Sequence, residues 1–253
     1  MAVLFEKTKY LTDKQFHYCP GCNHGIIHRL VAEVIDELSD ELNLDGKVVG
    51  VAPVGCSVFA YDYFNCDMYE AAHGRAPAVA TGIKRSAKDR LVFTYQGDGD
   101  LASIGTAEIV HAAHRGEKIC TIFVNNAIYG MTGGQMAPTT LPGQKTETSP
   151  YGRSVEQQGE PTHGPEMIAA MAGEGAYVAR GTVSKPKQLK KYIKKALEAQ
   201  MNGSGFAFVE ALSTCPTNWA TNAKKTWAFL EDQMMAEYPT GEFKVPGEGG
   251  KAE

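Results

Sequence analysis

No run of about 18 consecutive apolar residues occurs in the 253-residue sequence, so no transmembrane helix is expected. An excess of positive charge is also missing. The formal net charge is −4 and the pI is near 6.0, which argues against electrostatic capture of nucleic acid. The one Lys-rich tract, Lys187 to Lys195, reads as the solvated face of a helix. Residues Met1 to Tyr10 mix charged and apolar types and lack the apolar stretch of a secretory signal, so a cytoplasmic location is expected. In that reducing setting the six cysteines (Cys19, Cys22, Cys56, Cys66, Cys120 and Cys215) do not argue for disulfides. Metal ligation, catalysis and burial are the readings open to them. Internal repeats are missing, and the only biased segment is the Gly/Lys/Glu-rich tail from Gly247, expected to fray.

What is present is an alternation of strand and helix in a chain that is 43% hydrophobic, long enough for one large α/β domain or two small ones. The turn-rich Cys19-Pro-Gly-Cys-Asn-His-Gly leads into a helix whose apolar positions Ile26, Ile27, Leu30, Val31, Val34, Ile35 and Leu38 recur at helical spacing. Strands are predicted at Lys47 to Ala52, Arg90 to Tyr95, Lys118 to Val124, Ala176 to Arg180 and Phe206 to Leu212. Helices are predicted at Ala78 to Ala87, Leu101 to Arg115, Pro165 to Ala172, Pro186 to Met201 and Trp227 to Glu237. The stretch Gly130 to Pro161 has no clear period, and a loop that long is usually functional or a lid. Short apolar strands with helical crossovers imply a mostly parallel sheet with helices on both faces, whose ligands bind beyond the carboxyl ends of the strands.

The second of these strands runs into Gln96-Gly97-Asp98-Gly99-Asp100, and the next ends at Asn125-Asn126, 28 positions after Asp98. The glycines let backbone approach a ligand, and the following helix N-terminus suits a diphosphate. A carboxylate, an amide oxygen and a backbone carbonyl beside phosphate oxygens suit Mg²⁺. Gly, Asp and Asn are common in plain turns, and Asp100 also suits a helix N-cap. Gly-Asp-Gly-Asp at one strand end with Asn-Asn at the next is a far more specific signal. It resembles the diphosphate-binding signature of thiamine-diphosphate enzymes. That resemblance implies Mg²⁺ held by the side chains of Asp98 and Asn126 and the carbonyl of Ile128, with Gly97, Gly99 and Asp100 along the diphosphate.

Three cysteine sites border separate segments: Cys19-Pro-Gly-Cys22, Gly55-Cys56-Ser57, and Cys215 within Ser213 to Asn218. Four thiolates can ligate a [4Fe–4S] cluster. Structural zinc is the competitor, although zinc ribbons usually show two close Cys pairs, and a redox-active Cys-x-x-Cys is a third reading. Cys120 falls in an apolar strand and reads as core; Cys66, among Tyr61, Tyr63, Phe64 and Tyr69, reads as core or ligand.

The ordered set Cys-Pro-x-Cys, Gly-Cys-Ser, His-Gly-Arg-Ala, Gly-Asp-Gly-Asp, Asn-Asn-x-Ile-Tyr-Gly-Met-Thr-Gly-Gly-Gln and Ser-Thr-Cys-Pro-Thr-Asn spans residues 19 to 218. It resembles the β subunit of 2-oxoacid:ferredoxin oxidoreductases. The resemblance implies a thiamine-diphosphate-binding fold over residues 1–253, with a C-terminal extension from about residue 213. It implies cluster ligands Cys19, Cys22, Cys56 and Cys215, and cofactor contacts at Val54, Gly55, Cys56, Ser57, His73, Gly130 and Met131. Without it, His73 would read as a hydrogen-bonded core histidine. The implied activity is oxidative decarboxylation of a 2-oxoacid to an acyl-CoA, with coenzyme A as co-substrate and electrons passed through the cluster to ferredoxin. Thr132 and Gln135, in a loop expected to close over the substrate, are candidate catalytic donors. The glutamate that activates thiamine comes from a partner α subunit in that family, so this chain alone is expected to be inactive. A ferredoxin-like cluster subunit is a further candidate partner. Some relatives carry lysine where this chain has Gly133, which favours uncharged 2-oxoacids such as 2-oxoisovalerate, with 2-oxoglutarate still in play. The rivals are a thiamine enzyme without electron transfer, which leaves the cysteines idle, and a zinc-stabilised binding module, which leaves the Asp and Asn motifs idle.

Overall fold

The computed structural model describes residues 6–247; the tail beyond Gly247 and the first five residues lie outside it. Helix α1 (His24–Leu42) is followed by strand β1 (Val48–Ala52). A 3-10 turn (Cys56–Phe59) runs into the short α2 (Ala60–Tyr63), then β2 (Asp67–Glu70), α3 (Ala76–Ser86) and β3 (Leu91–Gly97). A π-helical turn (Asp100–Ile104) precedes α4 (Thr106–His114) and β4 (Cys120–Asn125). Next come α5 (Val155–Gln158), α6 (Gly164–Met171), β5 (Tyr177–Thr182), α7 (Pro186–Met201) and β6 (Ala207–Leu212). The chain ends with α8 (Ala223–Ala228), a second π-helical turn (Phe229–Met234), α9 (Met235–Glu237) and β7 (Gly241–Lys244). Among the described residues no helix is long and apolar enough to cross a membrane.

The strands form one seven-stranded sheet in the order β2-β1-β3-β4-β6-β5-β7, parallel except for β7, which pairs antiparallel with β5. Strands β1, β3, β4, β5 and β6 are buried almost throughout and read as near-continuous apolar runs, as a sheet covered on both faces requires. Alternate residues feed two cores. Val48, Phe93, Ile122 and Val209 pack under α1 and α7, while Val49, Val92, Phe123 and Phe208 pack under α3, α4 and α6. The apolar face of α1 is fully enclosed: Ile27, Val31, Val34 and Ile35 have no exposed surface, each contributing about 1.5–3 kcal/mol of transfer free energy.

Three expectations need correction. The helix expected at Leu101 to Arg115 is broken: a π-helical turn fills 100–104 and α4 starts at Thr106, because the Gly105 N–H bonds the Asp100 carbonyl at 2.8 Å. The helix expected from Trp227 starts earlier, at Ala223, where the Asn222 side chain caps it, and carries a second π-helical turn. The edge strands β2 and β7 were not anticipated. Both are largely open to solvent, so neither carries an apolar run.

Candidate active site

Strands β1, β3, β4 and β6 are consecutive in the sheet, and their carboxyl ends carry the four motifs. Val54 to Ser57 follows β1, Asp98 follows β3, Asn126 follows β4 and Cys215 follows β6. Gly97 pairs in register with Val124, so Asp98 and Asn126 emerge side by side. One cavity at this edge is lined by Val54, Gly55, Cys56, Ser57, His73, Gly97, Asp98, Gly99, Asp100, Asn126, Ile128, Gly130, Met131 and Thr132. Every expected cofactor contact and all three expected Mg²⁺ ligands therefore share one wall. His24 and Tyr129 line it too, and the motifs did not single them out.

Asp98 is 3% exposed. Its Oδ1 accepts the Gly99 N–H at 2.8 Å. Its Oδ2 accepts the N–H groups of Asn126 and Ile128 at 3.3 Å each and the Thr139 hydroxyl at 2.9 Å. Burial pushes its carboxyl up to about 6, against the pull of those donors. Ala127, between the two donating residues, has φ 58°, a left-handed conformation that is costly for a side chain with Cβ. It is held there by its own hydrogen bonds. The Ala127 N–H donates to Asn125 Oδ1 at 3.0 Å, while Thr140 Oγ1 and Gln144 Nε2 donate to its carbonyl at 2.7 and 3.2 Å. The strained turn bends the Asn126 and Ile128 N–H groups onto Asp98.

Asp100 lines the cavity with the other expected contacts. It makes no helix N-cap; Oδ1 accepts from His73 Nδ1 at 2.5 Å and the Gly74 N–H at 2.6 Å, and Oδ2 accepts from Gln96 Nε2 at 2.7 Å. Asp100 thus fixes His73 at the cavity wall. Gly99 borders the cavity, but the Tyr129 ring packs directly over it. Thr132 Oγ1 donates to the Gln135 amide oxygen, and Gln135 Nε2 returns a bond to the Thr132 carbonyl at 2.9 Å, so the two expected donors satisfy each other and Gln135 lies off the cavity wall.

The loop expected to close as a lid is already tied down. Tyr129 and Gln135 pair across it, Asn218 Nδ2 donates to the Gly130 carbonyl at 2.8 Å, and Trp219 Nε1 donates to the Asn126 carbonyl at 3.0 Å. Farther along, the Arg153 guanidinium donates to six main-chain carbonyls, of Ala137, Pro138, Thr140, Gln158, Gly159 and Glu160. The stretch after Gly130 is a stitched scaffold that includes α5.

The four cysteines of the expected set converge. Burial pushes the Cys56 thiol up to about 12, with Cys22, Cys215 and Cys19 adding to the shift as electrostatic neighbours. Burial likewise pushes Cys22 to about 11. A Cβ built on Gly130 would sit 3.3 Å from Cys56 Sγ and 3.6 Å from Cys215 Sγ, so both sulfurs face one backbone position. Thr214 ties the two ends of the set together, donating to the Gly21 carbonyl at 3.1 Å and to Asn23 Oδ1 at 2.6 Å. Cys19 is exposed and the other three are half-buried. Cys120 is fully buried, as expected, and Cys66 is packed against Met68. Arg75, beside His73, pairs with Glu108 and does not line the cavity.

The residues fit the groups the motifs imply. The Ser57 hydroxyl, 1% exposed at the cavity wall, has no hydrogen-bond partner among the described residues. Gly55 has φ 99°, and neither it nor Gly97 would bring a Cβ within 4 Å of any atom, so open space faces both. Asp98 Oδ1 carries a single hydrogen bond and keeps a lone pair for a cation. Among the described residues, no group of three or more His, Cys, Asp or Glu side chains is arranged to hold a metal ion. Around a single zinc, thiolates stand only about 3.8 Å apart; a cubane cluster asks for a wider ring of sulfurs.

Comparison with known proteins bears on the family. Residues 53–211 match the family model described as the thiamine pyrophosphate enzyme C-terminal TPP-binding domain. The chain is 47% identical to the ketoisovalerate oxidoreductase subunit VorA of Methanothermobacter thermautotrophicus, over 95% of this chain and 50% of that protein. It is 40% identical to the 2-oxoglutarate synthase subunit KorB of Methanocaldococcus jannaschii, over 79% of this chain and 69% of that one. Its fold matches a solved 2-oxoglutarate:ferredoxin oxidoreductase from Magnetococcus marinus, with 2-oxoglutarate, coenzyme A and succinyl-CoA bound, at TM-score 0.76 and 27% identity, over 95% of this chain and 87% of that one. The chain spans about half the length of the VorA relatives it matches. With the Asp98–Asn126 edge on a cavity whose wall includes Cys56, the chain belongs to the thiamine-diphosphate-binding subunits of the 2-oxoacid:ferredoxin oxidoreductase family.

Proposed function

We propose that this chain is the cofactor-bearing subunit of a coenzyme A-dependent 2-oxoacid oxidoreductase that delivers electrons to ferredoxin. The observation that carries the proposal is the shared cavity: Cys56 belongs both to its wall and to the ring of four thiols. Asp98, Asn126 and the Ile128 carbonyl would hold Mg²⁺ with the diphosphate, and Cys19, Cys22, Cys56 and Cys215 would hold a [4Fe–4S] cluster. When bound, thiamine diphosphate supplies the electron sink for decarboxylation and the cluster takes up electrons singly. The chain's own share is to orient and to exclude water. Asp100 fixes His73, Ser57 offers a free hydroxyl, and Asn218 holds the Gly130 turn between thiols and cavity.

No Glu lines the cavity, so the glutamate that thiamine activation requires is assigned to a partner subunit. A branched, uncharged 2-oxoacid such as 2-oxoisovalerate is the proposed substrate. The higher identity to a ketoisovalerate oxidoreductase subunit than to 2-oxoglutarate synthase subunits supports it, as does Gly133, which adds no charge to the loop. A cavity wall without Lys or Arg supports it further.

The test is anaerobic co-purification with the partner subunit, metal and sulfide analysis, and viologen reduction with coenzyme A and each of several 2-oxoacids. About four irons per protomer with turnover of 2-oxoisovalerate is the expected result. Stoichiometric zinc with no iron would overturn the cluster. Preference for 2-oxoglutarate would overturn the substrate.

A further inference from the structure

His24 stands at the junction of the two centres. It is 2% exposed, lines the cavity, and its main-chain N–H donates to the Cys22 thiol. Its ring is clamped: Tyr18 stacks on it with centroids 4.7 Å apart, and Nδ1 bonds the Tyr95 hydroxyl at 2.8 Å. Tyr95 is in turn stacked on His28 at 4.5 Å and has no exposed surface.

This packing fixes the tautomer. Among the described residues, His24 Nδ1 is the one hydrogen-bond partner of the Tyr95 hydroxyl. A buried O–H that donated to nothing would be costly, so Tyr95 donates and Nδ1 accepts. In the neutral ring the proton then sits on Nε2. Nε2 makes no hydrogen bond within the described protein and is not among its sealed, unpartnered atoms, so this N–H is left to the cavity. The need for such a donor is plain from the rest of the wall. Asp98 and Asp100 are acidic, and no Lys or Arg is present. Among the described residues of this chain, the wall therefore offers a carboxylate or keto oxygen no Lys or Arg, and its own contribution comes from donors such as His24.

We infer that His24, held as the Nε2–H tautomer by Tyr95, donates a hydrogen bond to the 2-oxoacid's carboxylate or keto oxygen. The inference rests on the functional reading above and adds to it a substrate-binding residue with a positioning residue, Tyr95, behind it.

The experiment uses the complex with its partner subunit, carrying H24A, H24Q, Y95F or H24A/Y95F. Binding of thiamine diphosphate with Mg²⁺ is followed calorimetrically. On the loaded complex, so is binding of N,N-dimethyloxamate, a non-decarboxylating mimic of 2-oxoisovalerate; turnover is measured in parallel. H24A is expected to weaken dimethyloxamate binding and lower kcat/KM about 10- to 100-fold, with thiamine diphosphate affinity within about twofold of wild type. H24Q, whose amide can present an N–H at the same reach, restores most of the loss. Y95F falls between, and the double variant is no worse than H24A. An H24A complex that binds the mimic like wild type, an H24Q complex as impaired as H24A, or additive losses in the double variant overturns the inference alone. A wild-type complex that takes up no thiamine diphosphate overturns the functional reading and this inference with it.

Discussion

Replacing Asp98 with asparagine should change the pH dependence of folding in a way that isolates this one carboxyl. Burial raises its pKa from the ordinary 3.8 to about 6 in the folded, cofactor-free chain. Between those values the folded chain keeps a proton that the unfolded chain has lost. The stabilisation is therefore full below 3.8, declines as pH rises and is gone above about 6. A shift of that size corresponds to about 3 kcal/mol in all, of which about 2 kcal/mol falls between roughly pH 4.5 and 8. The replacing amide cannot titrate and turns an NH2 group toward donors that Asp98 now accepts, a loss of about 1–2 kcal/mol against the protonated carboxyl that does not vary with pH. In urea unfolding of the cofactor-free chain, D98N should thus be the less stable protein at about pH 4.5 and as stable as wild type or more so at about pH 8. Adding Mg²⁺ and thiamine diphosphate should stabilise wild type and leave D98N nearly unmoved. A D98N deficit of equal size at both pH values would refute the claim that a desolvated carboxylate at this strand end is kept for a ligand at the expense of stability.

Changing Arg153 to alanine leaves six main-chain carbonyls without this partner; proteolysis within residues 137–160 should accelerate at least tenfold while the Pro186–Met201 helix region stays protected, checked by limited trypsinolysis and mass spectrometry. E210Q leaves Arg180, with no exposed side-chain surface, short of one charged partner, and should cost about 3–5 kcal/mol in chemical denaturation. Serine at Cys22, Cys56 or Cys215 should each abolish iron retention under anaerobic purification, whereas serine at buried Cys120 should lower the melting temperature and leave iron content unchanged.

The sheet was legible because its strands are buried on both faces. Cys120–Asn125 and Ala207–Leu212 are mostly apolar and buried at every position, and the proline start and amphipathic period of Pro186–Met201 give its bounds to the residue. The edge strands were not legible: Asp67–Glu70 buries almost nothing on its outer side, so no pattern marks it. In the site, the motif residues were legible through their residue types. Their supports were not. Thr139 reaches Asp98 from 41 positions away and Tyr95 reaches His24 from 71, and no local pattern encodes such contacts. The run of Gly, Thr and Pro after Gly130 reads as functional or a lid, and its stitching was illegible for a related reason. The arginine that stitches it lies at its far end, and its partners are carbonyls, which every residue has.

The tie from Thr214 to Gly21 and Asn23 joins nearly the first and nearly the last parts of the chain. A centre that bonds sulfurs from both parts would act as a clasp, closing a loop around almost all of the sheet and stripping freedom from the unfolded chain. Such a clasp would fasten only after β6 had docked, which would make its assembly a late event and its removal a weakening of the whole molecule at once, not of the edge where it sits.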